Sequence, residues 1–407
     1  MAETLDDRRV PASHRTDAIT YAVRDVLAVA DETKRGGKEM IYLNIGDPNL
    51  FDFDVPKHLI EAVSKAMASR ANGYAPSQGL PEALEAIRRE AGRKGIRNVY
   101  DVFTAYGASE AIELCITALT DPGDNILLPS PGYPLYSALN TKLAVESRSY
   151  RLNEDDNWHP DIADMAAKID KRTRAIVIIN PNNPTGALYD KDILLQVLEL
   201  ARKNRLVVFA DEIYDKILFD GKQPVTLAAL SDDVPIVTFG GLSKCYLAPG
   251  WRVGWAIASG PAKSLKDYMA AVQKMARARL SINHPMQYAI APALDGDHAH
   301  LREMIKKLQA RRDITCQYLN QIPGISCVKP EGAFYAFPKI TVPIPDKQFV
   351  ENLIRETGVV VVHGSGFGEL AGSGHFRIVF LPNEAILQKA YRLLDGFMKG
   401  AVGAVKK

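Results

Sequence analysis

The chain has 407 residues, 47% of them hydrophobic and 24% charged, with 50 Lys and Arg against 48 Asp and Glu. That apolar content excludes a disordered chain, and a net charge of +2, with both signs interspersed, leaves no electrostatic footprint for nucleic acid. A chain this long predicts two domains rather than one simple core.

The first residues, Met1 to Val10, carry no apolar run of the kind found in signal peptides, and no stretch approaches the ~18 apolar residues of a membrane span. Cys115, Cys245, Cys316 and Cys327 form no CxxC pair and suit a reducing compartment; all but Cys245, which stands beside Lys244, read as buried small hydrophobes. The expected location is cytoplasmic, with no membrane or nucleic-acid partner. The arm before about Ala28 shows no clear core face.

The middle of the chain repeats one pattern: a short β-branched run, a turn rich in Gly, Pro, Asn or Ser, then a helical period. Val102–Ala105 ends in Tyr106-Gly107, and the following helix puts Ile112, Cys115, Ile116 and Leu119 on one face. Asn125–Leu128 runs into Pro129-Ser-Pro-Gly-Tyr133-Pro, and Ala175–Ile179 into Asn180-Pro-Asn-Asn-Pro-Thr-Gly186. Leu206–Ala210 leads to Asp211-Glu-Ile-Tyr214, and Ile236–Phe239 to Gly240-Gly-Leu-Ser-Lys244. Such runs predict parallel βαβ units in a sheet covered on both faces, with ligands bound beyond the carboxyl ends of the strands. From about Pro292 the texture changes to a charged helix near Leu301–Leu319, an alternating Ala333–Phe337, then Val359–Val362 and Phe376–Phe380, which predicts a smaller α+β domain. The run Arg302–Arg312 reads as a solvated helix face, and His298 and His300 as solvated helix-start residues rather than metal ligands.

The polar residues least in keeping with their surroundings, Asn183, Asp211, Tyr214, Ser243 and Lys244, all follow strands. A lysine on a turn at the mouth of a sheet is open to desolvation, which favours the neutral, nucleophilic amine. Ser243 and Arg252 offer a hydroxyl and a fork to a phosphate dianion. Asp211, after five apolar residues, requires a cationic or hydrogen-bonded partner, and a protonated pyridine nitrogen would serve. His363-Gly-Ser-Gly-Phe-Gly368 fails the GxGxxG spacing, so a dinucleotide site is not expected.

Asn183-Pro-Thr-Gly186, Asp211-x-x-Tyr214, Ser243-x8-Arg252 around Lys244, and His375-Phe-Arg377 occur in the order and approximate spacing of the fold type I pyridoxal-phosphate aminotransferases. The chain resembles that family from Leu43-Asn-Ile-Gly-Asp-Pro48 to Arg377-Ile-Val-Phe380, and within it the alanine, or glutamate–pyruvate, subgroup of class I. The resemblance implies that Lys244 binds pyridoxal 5′-phosphate as an imine and then shuttles the substrate proton. It implies that Asp211 keeps the pyridine nitrogen protonated, that Tyr214 and Asn183 bind the ring 3′-oxygen, and that Tyr133 stacks on the ring. Ser243, Arg252, Ala108 and Ser109 at a helix start would hold the phosphate. Some family members have a further serine where this chain has Gly241. Gly46, Asn183 and Arg377 would take the substrate α-carboxylate. Tyr21 and Arg24, in the arm segment Tyr21-Ala-Val-Arg24, resemble the part that closes over substrate, and Arg24 would face the distal carboxylate of glutamate. Tyr74 would cross to the partner's cofactor phosphate in a homodimer with shared active sites.

The fold so implied is α/β: a large domain, 60–292, with a mostly parallel seven-stranded sheet covered by helices; a small α+β domain from 28–59 and 293–407; and an arm, 1–27. The expected reaction moves an amino group between an L-amino acid and a 2-oxo acid, alanine plus 2-oxoglutarate giving pyruvate plus glutamate. The alternatives are an aspartate or aromatic aminotransferase, or a carbon–sulfur lyase using the same cofactor. A cofactor-sensing transcription regulator would need a DNA-binding domain, for which the arm is too short.

Overall fold

The computed structural model describes residues 10–17, 19, 22–369 and 372–405; Tyr21 lies outside them. Its centre is an eight-stranded sheet: β1 Val99–Tyr106, β2 Asn125–Ser130, β3 Glu146–Asn153, β4 His159–Pro160, β5 Thr173–Ile179, β6 Val207–Asp211, β7 Ile236–Gly241 and β8 Val253–Ser259, in the order β1-β8-β7-β6-β5-β2-β3-β4. Strands β7, β6, β5, β2 and β3 are parallel, and β8 runs antiparallel between β1 and β7. The strand beyond the expected seven is β4, a two-residue edge paired antiparallel to β3. β3 carries no apolar run because it lies near the edge, where only Tyr150 and Leu152 are buried.

Alternate residues of the central strands feed two separate cores, so both faces must be covered. Ile176 and Ile178 join Leu194, Val197 and Leu198 of the helix Lys191–Asn204. Val177 and Ile179 join Ile112 and Ile116 of α1, Gly107–Leu119, with Leu265 and Met269 of the helix Ala262–Ala278. Because β8 is antiparallel to its neighbours, its start falls at the same sheet edge as the ends of β1, β2, β5, β6 and β7. That shared edge is where the expected chemistry must meet.

A second group of elements packs beyond this edge. Ile41–Tyr42 pairs in parallel with Val359–Val360, and Phe376–Val379 lies antiparallel to both Tyr335–Ala336 and Val362–His363. Leu43 joins them: its N–H donates to Val360 O at 2.8 Å, and its carbonyl accepts from Val379 N at 2.9 Å. The N-terminal segment is thereby stitched into the C-terminal strands.

Three readings change. The helix Ala22–Arg35 runs through the 27/28 boundary and buries Ala22, Val23, Val26 and Ala30, so this part of the arm has a core face. Arg311 and Arg312, expected in solvent, are 2% and 0% exposed. Arg311 pairs with Asp52 at 2.7 Å and Arg312 with Asp220 at 2.8 Å, carboxylates more than 90 positions away that spacing along one helix cannot reveal. His298 and His300 are half-buried, with ring nitrogens 2.8 Å from Ala293 O and 3.0 Å from Cys245 O.

Candidate active site

A cleft of about 610 Å³ opens at the shared sheet edge, and among the described residues every site residue expected from sequence except Tyr74 lines it. Lys244 stands on the turn after β7, half-buried at the cleft floor; its Nζ donates to Gly46 O at 2.8 Å and lies 5.6 Å above the Phe334 ring. Burial disfavours the ammonium; Asp47 opposes that effect while Arg377 and Arg252 add to it, and the pKa falls to about 8. About a tenth of the amine is therefore neutral at pH 7, far more than for a solvated lysine.

Asp211 ends β6 and is 4% exposed. Burial raises its pKa to about 6, although Ile213 N at 3.3 Å and the Tyr136 hydroxyl at 3.1 Å both donate to it. A carboxylate so deeply buried, with its pKa raised despite two donors, is built for a cation. Tyr136 was not expected from sequence. Its signal is local: it follows Tyr133 by three positions, one turn along the helix Pro134–Lys142 that Tyr133 caps.

The phosphate end of the cleft is made where β1 meets α1. Gly107 has φ +72°, and a β-carbon there would lie 2.7 Å from Arg252 Nη2; one on Gly254 would collide with the backbone of Gly107 and Ala108. The glycines therefore let Arg252 and β8 close on the helix start, where Ala108 and Ser109 line the cleft with Ser243. Arg252 itself is left-handed, φ 52°, and donates from Nη1 to Pro249 O at 3.1 Å. Tyr106 N is capped by Glu110 Oε2 at 2.7 Å.

At the other end Arg377 is buried. Nη1 donates to Asn183 Oδ1 at 3.0 Å and Nη2 to Asn44 O at 2.6 Å, and the guanidinium lies 4.6 Å from the Tyr335 ring and 4.7 Å from the Phe367 ring. The Tyr335 and Tyr214 hydroxyls are 2.7 Å apart. A β-carbon on Gly46 would strike the Tyr335 hydroxyl and come within 2.9 Å of Phe334, so only glycine lets this loop pass under Lys244. Tyr335, Phe334, Phe367 and Asn44 were not expected; the alternation in Ala333–Phe337 marks a strand without saying which face meets the cleft. Arg24 sits exposed at the cleft wall, with no acidic partner within 4.0 Å among the described residues. Tyr74 is 81% exposed and does not line its own chain's cleft.

The donor set fits pyridoxal 5′-phosphate: a desolvated amine for the aldehyde, a buried carboxylate for the ring nitrogen, and two hydroxyls, a guanidinium and a helix start for a dianion. Residues 38–393 match the model of aminotransferase class I and II. The glutamate-pyruvate aminotransferase AlaA of Haemophilus influenzae is 42% identical over 401 residues, 96% of this chain and 98% of that one. The structure of an alanine aminotransferase from Pyrococcus furiosus superposes with a TM-score of 0.93 at 44% identity, covering 96% of this chain and all of the other. The aspartate aminotransferase of Rhizobium meliloti gives 0.88 at 29% identity, covering 96% and 99%.

Fold and site together define a fold type I pyridoxal-phosphate enzyme. The chain belongs to the class I and II aminotransferases, and it is a transaminase acting on amino acids and 2-oxo acids with pyridoxal 5′-phosphate as cofactor.

Proposed function

We propose that the enzyme interconverts alanine plus 2-oxoglutarate with pyruvate plus glutamate. The observation that carries this choice is identity of 42% and 44%, over nearly whole chains, to enzymes named for glutamate–pyruvate or alanine transamination, against 29% to one named for aspartate. The cleft chemistry agrees, with a buried fork at Arg377 for the carboxylate common to all substrates and Arg24 at the wall for the second carboxylate of glutamate.

In this reading Lys244 attaches the cofactor and later carries the proton to and from the substrate Cα, work that requires an amine poised near neutrality. When bound, the cofactor supplies a sink for the electron pair released at Cα. Asp211 holds the ring nitrogen in its protonated form, and Tyr136 orients that carboxylate. Tyr214 and Asn183 bind the ring 3′-oxygen, Tyr133 covers the ring face, and Ser243, Ser109, Ala108 N–H and Arg252 grip the phosphate. Gly46 and Asn183 complete the carboxylate site around Arg377.

The working unit is a homodimer whose exposed Tyr74 completes the partner's phosphate site, built from a large domain, 60–292, and a small one, 28–59 with 293–407. No described helix is long and apolar enough to cross a membrane, and the four buried, unpaired cysteines suit a reducing cytoplasm.

A half-reaction screen tests the substrate choice: the pyridoxal form is mixed with single amino acids while its visible absorbance is followed. Alanine and glutamate should react fastest. Aspartate or an aromatic amino acid ranking first would overturn the assignment, as would release of a 2-oxo acid in repeated turnovers without any acceptor.

A further inference from the structure

Two residues before Arg377, His375 is 2% exposed and meets a carboxylate at each ring nitrogen. Nδ1 contacts Glu369, and Nε2 lies 3.3 Å from Glu154 Oε2, which also accepts from Lys339 Nζ at 2.8 Å. Lys339 faces His375 across an isolated bridge, Phe337 stacks on the imidazole at 5.0 Å, and Trp158 meets it edge-on at 5.3 Å. Glu154 follows β3 of the large sheet, whereas Glu369 and Lys339 belong with the small strands. With a neutral imidazole this group carries two carboxylates against the ammonium of the partly exposed Lys339; a charged one balances it. Burial opposes the charge, but the two carboxylates outweigh it, and the pKa is raised above the ordinary 6.5.

None of these groups lines the cleft, yet the cluster is wired to it. Glu369 ends the loop carrying Phe367, whose ring covers Arg377 at 4.7 Å. Phe367 O accepts from Gly132 N and Gly368 O from Ser130 Oγ, both at 2.8 Å, just ahead of Tyr133. At the loop's start Gly364 N donates to His375 O at 2.8 Å, and a β-carbon on Gly364 would collide with the Glu369 carboxylate. The loop that packs Phe367 on Arg377 is therefore tied both to the strand that carries Arg377 and to the turn ahead of Tyr133.

We propose that charged His375 is a positioning residue for substrate carboxylate: by bridging Glu154 and Glu369 it holds the Phe367 loop against Arg377 and the Tyr133 turn, and loss of its proton loosens that hold. The proposal rests on the reading that Arg377 takes the α-carboxylate. A group with a raised folded-state pKa keeps its contribution at low pH and loses it as pH rises through that pKa. Carboxylate affinity should therefore fall as pH rises through the raised pKa of His375.

The test uses the holoenzyme and propionate, a carboxylate with no amine to titrate, measured by calorimetry from pH 6 to 9. His375→Gln should bind propionate about tenfold more weakly at pH 6.5 and lack the wild-type decline, while the maximal half-reaction rate with alanine stays within about threefold. Glu369→Gln should weaken binding in the same direction without needing the imidazole to be replaced. Emission from Trp158, assigned by difference from Trp158→Phe, should titrate in the wild type over the pH range in which propionate affinity declines, and not in His375→Gln. Wild-type affinity and pH profile in both Gln variants, or a Trp158 signal flat across the range, would overturn the proposal. Arg377→Lys separates the two readings: unchanged propionate binding there refutes the carboxylate role of Arg377, whereas weakened binding there with no effect at His375 or Glu369 refutes only the latch.

Discussion

The Tyr136 hydroxyl donates to Asp211 Oδ2 at 3.1 Å, phenol and carboxylate both buried at the end of β6. Without a cation beside it, this carboxylate is held in a site that disfavours its charge: its folded-state pKa of about 6 exceeds the ordinary 3.8. The sign follows. The cofactor-free protein is destabilised above pH 6 by up to about 3 kcal/mol, a penalty relieved as pH falls through 6 toward 4. Cofactor-free Asp211→Asn should therefore denature later than wild type at pH 8, with the gap closing near pH 4.5. A less stable Asn variant at pH 8 would contradict the argument. With cofactor bound the order should reverse, and turnover by the variant should fall well beyond tenfold, more than ~1.4 kcal/mol in the barrier.

Tyr136→Phe removes the side-chain donor that lowers the Asp211 pKa. The carboxylate should then protonate more readily, so kcat should drop by about tenfold at pH 7 and more steeply below it. A parallel loss at all pH values in steady-state profiles would mean that Tyr136 only packs.

Lys244→Ala should abolish turnover and leave the circular dichroism spectrum unchanged. Borohydride reduction of the wild type followed by peptide mapping should put the pyridoxyl group on Lys244, and a label on another lysine would refute the assignment. With a pKa of about 8, roughly a tenth of the amine is neutral at pH 7. Capture of the aldehyde by cofactor-free protein should therefore speed up about tenfold from pH 6 to 7 and level off past 8.

Arg377→Lys should lower kcat/KM for alanine and glutamate alike by at least about a hundredfold, because lysine cannot reach Asn183 Oδ1 and Asn44 O while presenting a fork to a carboxylate. Arg24→Ala should raise KM for glutamate and spare alanine. Equal effects on both substrates would remove Arg24 from the distal site.

Shared sites make a counting prediction. Co-refolding an inactive Lys244→Ala chain with one disabled at Tyr74 gives hybrids in half of randomly paired dimers, each with one intact site of two, so about a quarter of wild-type activity should return. Recovery no greater than the two mutants separately, with hybrids demonstrated, would rule out the shared site.

Lys244, Asp211, Tyr214, Asn183 and Ser243 were legible in the sequence because each is a polar residue within five positions of the end of a run apolar enough to read as a buried strand. Loops at the carboxyl ends of parallel strands converge wherever the strands sit in the sheet. Their order in the chain, with the spacing of Ser243 to Arg252, therefore carried the family resemblance that named the chemistry. What composition and periodicity could not supply was the partner of each group. Tyr136 and Asp211 are 75 residues apart, Tyr214 and Tyr335 121, and Arg377 and Asn183 194. Arg311 and Arg312 look like solvated charges until Asp52 and Asp220 arrive from elsewhere, and His375 reads as one letter of a motif until Glu154 and Glu369 close on it. Burial and pairing of charge depend on which distant segments pack together. Only the tertiary structure decides that, and with it the protonation of Asp211, Lys244 and His375.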